Sequence, residues 1–251
     1  MKSHIKKLLP IFFLDCYRYV KRYVIQKLNR NKSTEEIFTE IYAQKKWGGL
    51  KGDFYSGPGS ADKRIVSAYI NLISDRADSE NFIGLSFIDL GCGDFLIGRE
   101  LIPLCSHYTG VDIVESLIQY NKKKYGAEKV SFMQANIVDD DLPTGDVCFV
   151  RQVFQHLSNQ QIIAVLPKLK IYKWVFITEH YPTNNSSIIP NIDKICGYDI
   201  RLNKNSGVFL TEYPFELPIE TIEKVLEVSV PVLGDENDPG VISTYLYKPK
   251  G

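Results

Sequence analysis

The sequence has no C-x-x-C pair, no low-complexity tract, no detectable repeat and no net charge. Its five cysteines, Cys16, Cys92, Cys105, Cys148 and Cys196, are odd in number and far apart. Such spacing argues against a disulfide framework and a zinc site, and it fits a reducing cytoplasm. Long apolar runs are missing as well. The longest, Leu8 to Leu14, stops at Asp15, short of the ~20 residues a membrane helix needs. No small-residue cleavage site follows it, so neither a transmembrane span nor a secretory signal is expected.

The zero net charge hides an asymmetry. Residues 1–32 carry Lys2, Lys6, Lys7, Arg18, Lys21, Arg22, Lys27, Arg30 and Lys32 against Asp15 alone, which leaves the rest acidic. An acidic body disfavours a nucleic-acid partner, because phosphate backbones are gripped by Lys and Arg. The segment 1–32 reads as a basic amphipathic helical extension, with two roles open. It could lie on an anionic membrane, placing a cytoplasmic protein at the inner membrane face, or pack on the domain or a partner protein. Residues 33–251 have the length of one domain.

That domain alternates. Ser33 or Thr34 followed by Glu36 marks a helix start near Glu35, and Ile65, Tyr69, Leu72 and Ile73 repeat at helical spacing. Strand candidates follow at Phe87 to Leu90, Tyr108 to Ile113, Val130 to Gln134, Val147 to Val150, Trp174 to Thr178, Leu226 to Val232 and Ile242 to Tyr247. Helical patterns between the first five predict crossover connections. The short loop Asp235 to Gly240 predicts that the last two pair antiparallel. The expected fold is α/β: a Rossmann-like, doubly wound, seven-stranded, mostly parallel sheet with an antiparallel last strand and an antiparallel edge, plus the N-terminal helical extension.

Phe87 to Asp94 is a buried strand running into the glycine turn Gly91-Cys92-Gly93, the place where a nucleotide binds an open α/β sheet. Asp112 ends the next strand, where a carboxylate accepts hydrogen bonds from ribose hydroxyls. Leu96 stands where a dinucleotide fingerprint wants its third glycine, and no base follows to grip phosphate. Asp89, two residues before the first glycine, repels pyrophosphate but suits an ammonium and a sulfonium. This charge logic favours S-adenosylmethionine.

Ile88 to Gly93, Gly110 to Ile113, Phe132 to Ile137 and Asp146 to Ser158 together resemble the class I methyltransferase family, in order and spacing, over Phe82 to Tyr247. The resemblance implies that Asn136 bonds the adenine amino group and that Ile113 and Ile137 pack on its faces; the family more often has Asp at the position of Asn136. Trp47-Gly48, Ser56 to Ser60, Val150 to Ser158 and Tyr213 to Pro218 resemble, more loosely, a bacterial subgroup encoded among surface-polysaccharide genes. That likeness implies a sugar or glycan hydroxyl as methyl acceptor.

Methyl transfer to a hydroxyl needs an aligned nucleophile and a proton acceptor. His156, just past the fourth strand, and His180, just past the fifth, are the candidate bases; the bland alternatives are a helix-start residue and a loop histidine. Arg151 closes an apolar strand at the ligand edge, placed to bind the acceptor or the methionine carboxylate, unless it pairs with Asp89 or Asp94. Asp139, Asp140 and Asp141 read as a solvated turn, so no metal is expected. Trp47, Ser56 and Gly57 precede the sheet, where glycine permits approach to the methionine end. Tyr181, Asn184, Asn185, Tyr198, Arg201, Asn203 and Tyr213 suit acceptor recognition. Two other readings stay open: a small-metabolite or lipid acceptor, and a non-catalytic adapter in a glycan-assembly complex.

Overall fold

The computed structural model describes residues 31–50, 53–183, 187–230 and 240–250, together with Val20 and Asn29. Most of the expected N-terminal extension, Asn184, Asn185 and the turn beginning at Asp235 lie outside those residues.

Helix α1 (Thr34–Ala43) opens on a capping box in which Ser33 and Glu36 each bond the other's backbone N–H. Those bonds satisfy donors that a helix start leaves unpaired. Helix α2 (Lys63–Ser79), capped by Asp62, buries Ile65, Tyr69, Ile73 and Ala77, a four-residue spacing that keeps one face inward. Three shorter helices follow: α3 (Gly98–Leu101), α4 (Glu115–Tyr125) and α5 (Asn159–Val165).

All seven strands are present: β1 (Ser86–Leu90), β2 (His107–Asp112), β3 (Val130–Gln134), β4 (Val147–Arg151), β5 (Trp174–Pro182), β6 (Ile222–Val230) and β7 (Gly240–Tyr247). They form one sheet in the order β3-β2-β1-β4-β5-β7-β6. The first five run parallel, and β7 is antiparallel to both β5 and β6.

The antiparallel edge expected from the sequence is the pair β7 and β6. The last strand is the inner member of that pair. It enters between β5 and β6, because its buried Ile242, Thr244 and Leu246 need cover that an edge position lacks. The edge is β6, which shows Glu223, Lys224 and Glu227 to solvent, charges that discourage pairing with another chain. One detail departs from the sequence reading: no helix separates β3 from β4, and residues 135–146 cross over as turns.

Alternation within the central strands sorts the core into two chemistries. Phe87, Val147, Phe149, Trp174 and Phe176 face one side, beneath Tyr69, Ile73 and Ala77 of α2. Ile88, Leu90, Cys148, Val150, Val175 and Ile177 face the other, with Ile37 and Ile41 of α1 and Ile162 and Val165 of α5. The aromatic side is laced by ring contacts, Phe87 to Phe149 at 5.2 Å and Phe149 to Phe176 at 5.7 Å.

Candidate functional site

The carboxyl ends of β1, β2 and β4 open into a cleft covered by α1 and the loop around Ser56, with about 1060 Å³ of empty space including its mouth. Its floor is the glycine turn. Gly91 (φ 78°) and Gly93 (φ 54°) hold left-handed conformations that favour glycine. Space forbids a side chain there too: a Cβ on Gly91 would fall 2.5 Å from a Val153 methyl, and one on Gly93 2.3 Å from Ser56 Oγ.

Asp112 anchors the turn. Its Oδ2 accepts from Gly93 N (3.1 Å) and its Oδ1 from Val114 N (3.1 Å), which leaves each oxygen a lone pair for a ligand hydroxyl. Burial lifts its pKa to about 6 against the pull of those N–H groups. Asp89 accepts from Tyr108 Oη at 2.9 Å, and burial lifts it to about 7, opposed by Tyr108 and by the charge of Arg151. Asp94 ties the covering loop down: Ser56 N donates to its Oδ2 (2.9 Å) while Asp94 N donates to Ser56 Oγ (2.8 Å), which also meets Tyr42 Oη at 3.1 Å. Gly57 (φ 97°) lies behind this contact, off the cleft, and turns the chain so that Ser56 faces inward.

Arg151 lines the cleft from the end of β4. Instead of the salt bridge with Asp89 or Asp94 weighed above, it donates to Gly59 O (2.9 Å) and Ser60 Oγ (3.3 Å) and lies 5.4 Å from the centre of the Tyr69 ring. Its Nε and the neighbouring Gln152 Nε2 are buried donors without a protein partner. Buried polar atoms are almost always bonded, so this pair fits an anionic or carbonyl group of a ligand.

The two histidines part company. His156 lines the cleft beside Trp47 (ring centres 5.2 Å apart) and Phe38 (6.5 Å). Its Nδ1 contacts Gly197 O at 3.1 Å. A carbonyl can only accept, so Nδ1 carries the proton and Nε2 the lone pair. Burial, reinforced by Lys194 and Arg201, lowers its pKa to about 3, so the ring is neutral. His180 is not brought to the cleft. It packs where β5 meets β7, so close that a Cβ on Gly240 would lie 2.3 Å from its Nε2.

Cys92, Ile113, Ile137 and Trp47 line the cleft as the sequence placed them, and so does Asn136. The Asn136 amide is engaged within its own turn, donating to Asp139 Oδ2 (2.6 Å) and accepting from Val138 N (3.1 Å). Arg201 and Tyr181, read as acceptor contacts, are instead buried supports: Tyr181 Oη donates to Val208 O (2.7 Å), and the guanidinium of Arg201 donates to backbone carbonyls. Tyr213 is exposed. Tyr198 contributes its carbonyl, which accepts from Trp47 Nε1 at 3.5 Å.

Sequence reading missed Phe38 and Tyr42, which α1 turns into the cleft, and Tyr69, Tyr108, Gln152 and Val153. The one-turn spacing of Phe38 and Tyr42 was a usable signal. Tyr108 lies on the same face of the sheet as Asp89 only once β1 and β2 are in register.

Residues 87–171 match a family described as a methyltransferase domain. A ubiquinone biosynthesis O-methyltransferase of Colwellia psychrerythraea is 26% identical over 149 aligned positions, covering 53% of this chain and 57% of that protein, a little over half its length. Among solved structures, the N-methyltransferase NodS of Bradyrhizobium japonicum, in complex with S-adenosylhomocysteine, superposes with a TM-score of 0.56 at 13% identity, covering 86% of this chain and 99% of that one. The cyclase SpnF superposes with a TM-score of 0.54 at 11% identity, covering 86% and 95%. Sheet order, the antiparallel seventh strand and the glycine turn at the carboxyl end of β1 together give this chain the class I S-adenosylmethionine-dependent methyltransferase fold.

Proposed function

We propose that the protein is an S-adenosylmethionine-dependent methyltransferase that methylates a hydroxyl of a sugar or glycan. The observation that carries the cofactor reading is the charge of the cleft. Among the described residues, Asp89, Asp94 and Asp112 line it against the single cation Arg151. Such a site opposes a pyrophosphate and favours a ligand bearing an ammonium and a sulfonium. Fold likeness alone does not carry this step, since a cyclase shares the architecture.

The donor set fits the cofactor. Asp112 would take the ribose hydroxyls, Asp89 the ammonium, and the unpartnered Arg151 Nε and Gln152 Nε2 the carboxylate. Ile113 and Ile137 supply apolar faces for the base, and Asn136 Oδ1, which accepts from Val138 N, has a second lone pair to accept from its amino group. When bound, the cofactor supplies an electrophilic methyl. The chain's own part is to align the acceptor oxygen and receive its proton. The neutral His156 ring lines the cleft and is the candidate acceptor, its Nε2 lone pair held at rest by the Gln155 amide at 3.4 Å, and Trp47 beside it offers a face on which a sugar ring stacks.

A second reading keeps the cofactor and takes a small metabolite or lipid as acceptor. The O-methyltransferase likeness and the apolar Phe38, Trp47 and Leu157 favour it. Residues 1–32 are proposed as a basic helix for a membrane surface or a partner protein, with 33–251 as the catalytic domain in the cytoplasm. The test is calorimetric titration with S-adenosylmethionine and S-adenosylhomocysteine, followed by methyl-transfer assays on nucleotide sugars, glycan fragments and phenolic lipids. Micromolar binding with transfer to a sugar supports the proposal. Transfer to phenolic lipids alone replaces its acceptor, and a folded protein that binds neither compound overturns it.

A further inference from the structure

The turn after β4 is irregular. Gln152 holds a left-handed φ of 56°, and Phe154–His156 form a single 3-10 turn. Neither a strand nor an α-helix satisfies its backbone, yet its groups are bonded from behind by buried ionisable side chains, among them Glu179, whose carboxyl pKa burial lifts to about 8. Glu179 on β5, 0% exposed, accepts from Phe154 N through Oε1 (2.8 Å) and from Gln155 N through Oε2 (2.9 Å). Arg201, 2% exposed, donates to Phe154 O (3.1 Å) and Leu157 O (2.9 Å). Lys194, also buried, reaches His156 O at 3.2 Å. None of the three lines the cleft.

Burying charge is costly unless every polar atom is bonded. An apolar residue would fill the space under a turn whose only need was packing. Here a carboxyl takes the N–H groups and a guanidinium fork takes the carbonyls, which fixes the orientation of peptide planes rather than the volume beneath them. The residue presented is His156, whose ring is fixed in turn by the Gly197 carbonyl.

We propose that Glu179, together with Arg201, is a positioning residue for the reaction: it holds the turn after β4 in the shape that presents the His156 ring to the cleft. The inference rests on the methyl-transfer reading above. Neither residue touches the ligand; both act through His156.

Glu179→Gln keeps size but sets an amide N–H against one of the two backbone donors. It should lower kcat ~10- to 100-fold while S-adenosylhomocysteine affinity stays within ~3-fold. Arg201→Lys, which keeps charge and loses the fork, should do the same, and the double variant should fall short of the product of the two effects, because the pair acts as one clamp. The full-length protein also permits a readout without turnover. The His156 Nδ1 proton resonance, assigned by its absence in His156→Ala, should shift or broaden in both variants with circular dichroism unchanged. Wild-type kcat in folded variants overturns the proposal, as does an unshifted His156 signal or a parallel loss of kcat and cofactor affinity. Should the wild type transfer no methyl group at all, the methyl-transfer reading falls, and the His156 resonance alone decides the clamp.

Discussion

Asp112 joins two functions in one carboxyl group, because the oxygens that brace Gly93 and Val114 also face the cleft. Asp112→Ala should weaken S-adenosylhomocysteine binding by ~1.5–3 kcal/mol, the worth of hydrogen bonds to a charged group; unchanged affinity in a titration would move the ribose elsewhere. Asp89 couples binding to pH. In the ligand-free protein its pKa is raised to about 7, so the stability it contributes is present below the ordinary carboxylate range and is lost as pH rises through about 7. A bound ammonium reverses that preference. Binding should therefore release a proton below pH 7, and affinity should rise with pH up to about 8 and then level off. Calorimetry in buffers of different ionisation enthalpy measures the proton directly, and a flat affinity between pH 6 and 8 would remove Asp89 from the ammonium site. His156 behaves oppositely: held at about 3, it stays neutral, so no acid limb near its ordinary value should appear in kcat/KM on its account. His156→Ala should cut turnover by ~10²- to 10⁴-fold if its Nε2 takes the proton, with cofactor affinity retained.

Elements carry these residues to one place. The glycine turn, the loop of Ser56 and helix α1 are locked by the reciprocal Ser56–Asp94 bonds and the Tyr42 hydroxyl. Ser56→Ala removes the acceptor for Asp94 N and opens space over Gly93. Cofactor affinity should fall while the thermal midpoint moves little, since the loop is half-buried and only the cleft depends on it. Equal losses of affinity and stability would make the contact part of the general scaffold instead. Gly91→Ala is a harsher change, for its Cβ meets Val153 and pushes on the turn that carries His156. Beneath the cleft, Phe149 sits between Phe87 and Phe176 at 1% exposure. Phe149→Ala should cost ~3–5 kcal/mol of unfolding free energy, read by denaturant titration.

The sheet as a whole depends on its last segment. Strand β7 pairs along its length with β5 on one side and β6 on the other, so β6 is joined to the sheet through β7 alone. Ending the chain at residue 239 would expose the edge of β5 and leave β6 no partner strand. Such a truncation should abolish cooperative unfolding, whereas removing only residues 248–251 should leave it; a cooperative transition in the shorter chain would refute the dependence. At this scale too belongs the proposal for residues 1–32, whose deletion should release the protein from anionic vesicles if the basic helix lies on a membrane surface. Equal binding by the two forms would assign that segment another role.

Local chemistry made much of this readable from the chain alone. Short apolar runs located all seven strands, Ser33 with Glu36 marked the start of α1, and Gly91, Gly93, Asp89 and Asp112 stood out because few backbones need that combination. Periodicity and capping depend on neighbours in sequence, so they survive without coordinates. What remained hidden depends on pairs far apart in the chain. The insertion of β7 between β5 and β6 is a choice among registers that the strands themselves permit. Tyr108 beneath Asp89, and Arg201 beneath the turn of His156, are partners made by sheet register and by a long irregular segment. The separation of His156 from His180 was equally out of reach: His156 follows β4, whereas β5 runs on through His180, which packs against Gly240 of β7 and away from the cleft. The sequence by itself determined which chemistry the chain can offer; the tertiary structure decided which of those groups meet, because burial and distance are properties of pairs.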